Sequence, residues 1–147
     1  GCVPCCAGKG SRSTRPCDVG PRVVILLDTN YLIRALLSGT PEAERVDMWA
    51  ARDDDLCTSS ICWYEFLCGP VDAEGIDIVR GILRDRIIPF TVDAATEAAR
   101  LFNASGRARA RRVDAMVAAA AIVGGASLAT ENTEDFRPLV AEGLRIV

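Results

Sequence analysis

V-V-I-L-L-D-T-N, residues Val23 to Asn30, ends an unbroken apolar run on a single aspartate. Val23, Val24, Ile25, Leu26 and Leu27 read as a strand buried on both faces, the pattern of a central strand in a parallel sheet. A carboxylate placed where such a strand emerges is partly desolvated, which costs on the order of several kcal/mol unless something compensates. In open α/β sheets ligands bind at the carboxyl ends of the strands. Asp28 is therefore either a helix cap or part of a site.

Outward from this strand the chain alternates short apolar strands with helices. Helices are expected from about Tyr31 to Leu37, Glu42 to Arg52, Ile61 to Cys68, Ala73 to Arg84, Ala94 to Asn103 and Val113 to Val123. Ser38-Gly39-Thr40-Pro41, Gly69-Pro70 and Gly124-Gly125 provide the breaks between them. Further strands are expected at Leu56–Thr58, Arg86–Phe90, Ser127–Thr130 and Leu144–Val147. This alternation implies a parallel-rich sheet covered by helices. With 147 residues there is enough chain for one domain with a proper core. Residues 1–20, polar and rich in Gly, Ser and Arg, read as a disordered extension, and residues 21–147 as the folded domain.

Composition excludes several chemistries. There is no histidine, so no Ser-His-Asp or Cys-His hydrolase, imidazole nuclease or His-ligated zinc site can be built. The longest apolar run, Ala115 to Val123, is nine residues, and a membrane span needs roughly 18. No apolar segment of a secretory signal is present in residues 1–20, and a soluble, cytoplasmic protein is expected. The seven cysteines are an odd number, which argues against a disulfide framework. Cys57, Cys62 and Cys68 lie in apolar contexts and read as small core residues. Cys2, Cys5, Cys6 and Cys17 match no standard zinc spacing.

Most acidic residues have ordinary settings. Asp53, Asp54 and Asp55 read as a solvated turn, and Glu42, Glu44 and Asp47 as an exposed helix face. Three differ. Asp28 follows the buried strand. Glu65 shares a helix face with Ile61, Cys62 and Cys68. Asp114 opens a very apolar helix and shares its face with Val117, Ala118 and Ala121, although a carboxylate in a first helical turn also suits the macrodipole. If these three converge, their mutual repulsion calls for a cation between them. Oxygen-only ligands select a hard cation, Mg²⁺ or Mn²⁺, which also binds phosphate and can promote phosphodiester hydrolysis. Thr130, Asn132 and Asp135 follow another strand and emerge at the same end, or else form an Asx-capped turn.

Leu27–Asn30 (L-D-T-N), Trp63–Leu67 (W-Y-E-F-L), Val113–Ala121 (V-D-A-M-V-A-A-A-A) and Ala129–Phe136 (A-T-E-N-T-E-D-F), in that order, closely resemble the PIN-domain nucleases. The resemblance is best to the VapC-type toxins of bacterial toxin–antitoxin pairs and covers about Arg22 to Val147. It implies a three-layer α/β/α sandwich with a mainly parallel sheet, and a Mg²⁺- or Mn²⁺-dependent endoribonuclease. Asp28, Glu65 and Asp114 match the family's three acidic positions, as catalytic and metal-binding residues. The fourth position falls in Asn132–Asp135: Asn132 stands where many relatives carry aspartate, and Asp135 follows three residues later as the acidic candidate. Asn30, Thr130 and Asn132 are implied to orient the ligands. The resemblance also implies a cognate antitoxin whose segment blocks the site, and a homodimer.

A net charge of −3 is unpromising for RNA binding, but its distribution is uneven. Arg107, Arg109, Arg111 and Arg112 lie within six residues just before Asp114, and sequence-independent phosphate contact is the natural role of such a cluster. Arg34 and Trp63 are weaker candidates, Trp63 fitting core or dimer interface better. An inactive PIN-like module that binds RNA or a partner is the alternative; the presence of all three carboxylates argues against it. A haloacid-dehalogenase-type phosphotransferase needs a second aspartate where Asn30 stands, and a receiver domain needs a late lysine, whereas the only lysine is Lys9.

Overall fold

In the computed structural model, which describes residues 21–147, the apolar run forms β1 (Val24–Leu27) at the interior of a four-stranded parallel sheet. The strand order is β3-β2-β1-β4, with β2 (Asp55–Ser59), β3 (Ile87–Ile88) and β4 (Ser127–Ala129). β1 pairs with β2 in the register Val24↔Asp55 to Leu26↔Cys57, and with β4 from Ile25↔Ser127 to Leu27↔Ala129. Consecutive strand residues point to opposite faces, and Ile25, Leu26 and Leu27 are all essentially inaccessible. Both faces of the sheet are therefore covered, giving the expected three-layer α/β/α arrangement.

The covering helices are α1 (Thr29–Arg34), α2 (Pro41–Ala51), α3 (Ser60–Cys68), α4 (Ala73–Leu83), α5 (Val92–Ala104), α6 (Arg112–Val123) and α7 (Thr133–Val140). Side-chain caps start most of them: Thr40, Ser59, Asp72 and Thr91 each accept an amide hydrogen bond from the first turn of α2, α3, α4 and α5. Alanines 118 to 121 are buried along α6, which packs closely on α5. Gly125, at φ +64°, turns the chain from α6 into β4, a conformation that favours glycine.

Several expectations are sharpened. The first helix begins at Thr29 and ends at Arg34. The arginine-rich segment after Ser105 is partly ordered as a 3₁₀ turn, Arg109–Arg111, that leads into α6. The final strand contracts to one parallel bridge, Leu128↔Ile146. α7, with Pro138 inside it, follows Asn132 in place of the Asx-capped turn that is one of the two readings of this stretch. Cys57 and Cys62 are buried, but Cys68 is exposed at the end of α3. Asp53–Asp55 are not a solvated turn: Asp54 is buried, and Arg22, Arg52, Arg84 and Arg86 pair with the three carboxylates. Glu42 is buried beside Arg34 instead of lying on an open face. The assignments for residues 1–20, including their four cysteines, fall outside the described residues.

Candidate active site

Chain order places β2 and β3 on one side of β1 and β4 on the other, so the strand sequence reverses direction at β1. Crevices at the carboxyl ends of strands at such a reversal are where open α/β sheets bind ligands. The reversal is tightly fastened here. The Asp28 amide donates to Ala129 O at 3.0 Å, and Thr58 Oγ1 donates to Leu27 O at 2.8 Å.

Asp28 proves to be both helix cap and pocket wall. Its carboxylate accepts from the Thr29 amide at 2.8 Å, capping α1, and its Oδ2 accepts from Thr130 Oγ1 at 2.7 Å. The Cys62 thiol lies 3.6 Å from Oδ1 and donates to it. Asp28 is 6% exposed and Thr130 4% exposed, so this carboxylate is immobilised in a nearly dry setting.

Asp28, Glu65 and Asp114 line a single pocket of about 300 Å³. Asn30 and Asn132 contribute to its wall, with Val113 and Val117 as apolar lining. α3 delivers Glu65 from the opposite side to β1, and Thr29 Oγ1 donates to Glu65 Oε2 at 2.7 Å. Contrary to its apolar sequence neighbours, Glu65 is exposed and stands at the pocket mouth. Asp114, in the first turn of α6, is half-buried. Burial, and then the charges of Asp135, Asp28 and Glu65, push its carboxyl above the ordinary aspartate value, while Arg111 pulls it partly back.

The segment Asn132–Asp135 divides its roles. Asn132, immediately before α7, faces the pocket, and its amide donates to Thr130 Oγ1 at 3.1 Å. Asp135 is exposed in the first turn of α7 and is the strongest charged influence on Asp114. The four arginines also separate. Arg111 faces Asp114 and donates to Ser105 O at 3.2 Å. Arg112 lies over the Phe102 ring at 5.6 Å. Arg107 and Arg109 have no side-chain partner among the described residues. Arg34 is held by Glu131 at 3.0 Å and Glu42 at 3.5 Å. Trp63 packs on Phe66 at the edge of the core, 5.4 Å between ring centres.

Charge compensation distinguishes this pocket from the rest of the molecule. At the amino end of the sheet, a cavity of about 190 Å³ is walled by Asp54 and Asp55, each paired with arginine. Among the described residues, no ion pair involves Asp28, Glu65, Asp114 or Asp135. The acidic group is therefore free of ion pairs, with Arg111 alone as a partial counter-charge on Asp114, and it leaves room for a hard cation. Among the described residues, no three or more His, Cys, Asp or Glu side chains are grouped closely enough to hold a metal ion between them. An open arrangement suits Mg²⁺, which keeps several waters and needs only one or two carboxylates.

The chain matches the family model of the PIN domain over residues 25–139. No curated protein matches it in sequence. Among solved structures it is similar to a toxin–antitoxin complex from Klebsiella pneumoniae, at 27% identity and a TM-score of 0.56, covering 78% of this chain and 89% of that one. It also resembles a chain of DNA-bound VapBC from Salmonella typhimurium, at 22% identity and a TM-score of 0.65, over 85% and 97% of the two chains. A third likeness is to VapBC2 from Rickettsia felis bound to a promoter DNA fragment, at 19% identity and a TM-score of 0.63, over 85% and 98%. The family match runs from β1 through α7 and so contains every carboxylate of the pocket: the chain belongs to the PIN domain family.

Proposed function

We propose that the protein is a Mg²⁺- or Mn²⁺-dependent endoribonuclease and the toxin of a toxin–antitoxin pair, acting in the cytoplasm. The observation that carries the catalytic reading is the group Asp28, Glu65 and Asp114, free of ion pairs, around one pocket at the sheet's reversal point. Asp28 and Asp114 are the direct ligands, Glu65 and Asp135 complete the negative field, and Asn30, Thr130 and Asn132 orient the group. A bound hard cation supplies Lewis acidity toward a phosphodiester and toward water.

The chain's own residues do the rest. Thr130, Thr29 and Cys62 hold Asp28 in one orientation. With no histidine in the chain, a carboxylate is the available side chain to accept the proton released in hydrolysis. Glu65 is placed for this, being exposed and bonded to Thr29 through Oε2. Arg107 and Arg109 bind backbone phosphates without regard to sequence, Arg111 holds the phosphate nearest Asp114, and Arg112 supports the segment from Phe102.

The toxin reading is supported by solved relatives that are themselves toxin–antitoxin complexes. The cognate antitoxin places a segment over the site and covers the apolar groove of about 150 Å³ that runs from Ile33 and Leu37 to Phe66 and Val71. The functional unit is a homodimer. Among the described residues no helix is long and apolar enough to cross a membrane.

The deciding experiment incubates purified, antitoxin-free protein with a pool of cellular RNA in Mg²⁺, in Mn²⁺ and in EDTA. Cleavage in either metal, lost in EDTA and lost in a folded Asp114→Asn variant, is the expected result. Equal cleavage with and without metal would overturn the mechanism. Binding without products in any condition would favour a non-catalytic module.

A further inference from the structure

The two buried thiols of the described domain have different partners. Cys57 Sγ donates to a backbone carbonyl, Ile25 O, at 3.5 Å, an ordinary arrangement for a core cysteine. Cys62 Sγ, fully buried, lies 3.6 Å from Asp28 Oδ1. Its S–H points to a carboxylate of the pocket, and a hydrogen bond to an ionised acceptor is stronger than one to a neutral group.

We propose that Cys62 is a positioning residue: its thiol donates to Asp28 Oδ1 and, opposite Thr130 on Oδ2, fixes the plane of the Asp28 carboxylate toward the pocket. This rests on the reading of Asp28 as a metal ligand. The sequence context makes Cys62 look like filler, because its neighbours Ile61 and Phe66 are apolar. Its role emerges only when α3 is set against the end of β1.

Local geometry holds the thiol in place. Cys62 occupies the first turn of α3, where its amide donates to the capping Ser59 Oγ at 3.1 Å. Ser59 is itself fully buried at the end of β2, in register with Ile88 of β3. The thiol is thus referenced to the sheet, not to a mobile loop. One helical turn beyond Cys62, the same α3 presents Glu65, which accepts from Thr29 Oγ1 at 2.7 Å. The two elements exchange bonds: α3 gives a thiol to Asp28, and the residue after Asp28 gives a hydroxyl to Glu65. Two carboxylates of the pocket are therefore located relative to each other through a pair of residues, the buried Cys62 and the pocket-lining Thr29. Removing the thiol leaves Oδ1 with the Thr29 amide alone and frees the carboxylate to turn.

The test titrates Mn²⁺ alone calorimetrically into the full chain and into Cys62→Val, Cys62→Ser and Asp28→Asn, each checked for a cooperative melt. Valine fills the space without a donor, and serine restores a donor. Cys62→Val is expected to weaken Mn²⁺ binding about tenfold, the low end for loss of a group that orients a ligand. Cys62→Ser is expected to stay within about threefold of the parent, and Asp28→Asn to lose binding. Parental affinity in Cys62→Val alongside lost binding in Asp28→Asn would overturn the role of Cys62 and leave the metal reading standing. Parental affinity in Asp28→Asn would overturn both.

A second measurement needs neither metal nor a foldable valine variant. The S–H stretching band of Cys62, identified by its disappearance in Cys62→Ser, should move to higher frequency in Asp28→Asn, where the acceptor has lost its charge. An unmoved band overturns the proposal.

Discussion

Half-buried in the first turn of α6 and faced by Asp135, Asp28 and Glu65, Asp114 holds its proton more tightly than a free aspartate. A raised folded-state value gives a definite sign. The stability linked to this group is fully present below the unfolded-state pKa and is lost as pH rises through the folded-state value. In EDTA, urea midpoints should therefore fall as pH rises from the ordinary aspartate range through that of Asp114. Asp114→Asn should flatten this fall and melt above the parent at pH 7, while reducing cleavage at least about 100-fold. A midpoint for Asp114→Asn below the parent's at pH 7 would contradict the repulsion argument. Residues of this kind are legible in sequence because a carboxylate embedded in apolar neighbours needs a reason. Asp28 and Asp114 show the burial those neighbours imply. Glu65 does not, because the apolar residues around it pack along α3 while its own carboxylate reaches the mouth. Cys62 escapes such reading altogether, since a small thiol among apolar residues needs no further reason.

At the level of elements, capping and charge clusters make the sharpest tests. Ser59 starts α3 and through it locates Glu65 and Cys62. Ser59→Ala should cost about 1 kcal/mol of stability, measured by urea unfolding, and should lower metal affinity by moving both residues together. The arginine segment leading into α6 is tested by the salt dependence of RNA binding. Arg107→Ala combined with Arg109→Ala should reduce the slope of log affinity against log salt by about 1.4, at roughly 0.7 per phosphate contact with single strands. Arg111 is a poor choice for that test, because its removal also deepens the repulsion on Asp114. Helices with clear caps and breaks fall within a few residues of where sequence places them. α7 escapes because Pro138 interrupts its pattern and because Thr133-Glu134-Asp135 equally suits a turn. β3 is only two residues long at the sheet edge, where apolar composition alone does not reveal how far pairing extends.

For the whole molecule, the order of strands does the most. The apolar character of Val24–Leu27 already indicates a central strand, but a sequence does not state which strands flank it. That order is what brings the start of the chain's domain and its last third to one crevice. The apolar groove lined by Ile33, Leu37, Phe66 and Val71 carries the partner prediction. Leu37→Glu, at a position 53% exposed, should weaken antitoxin binding while leaving cleavage by the free toxin at the parental rate. Loss of cleavage in that variant would place the groove in catalysis instead.

The fastening of Asp28 to Thr130 joins residues 102 positions apart. Contacts so distant in sequence form late, since the intervening chain must be ordered first. A growing polypeptide that has passed Asp114 but not yet reached Thr130 holds all three pocket carboxylates, yet lacks the hydroxyl that fastens Asp28. The order of synthesis therefore supplies the pocket's carboxylates before the hydroxyl that orients one of them.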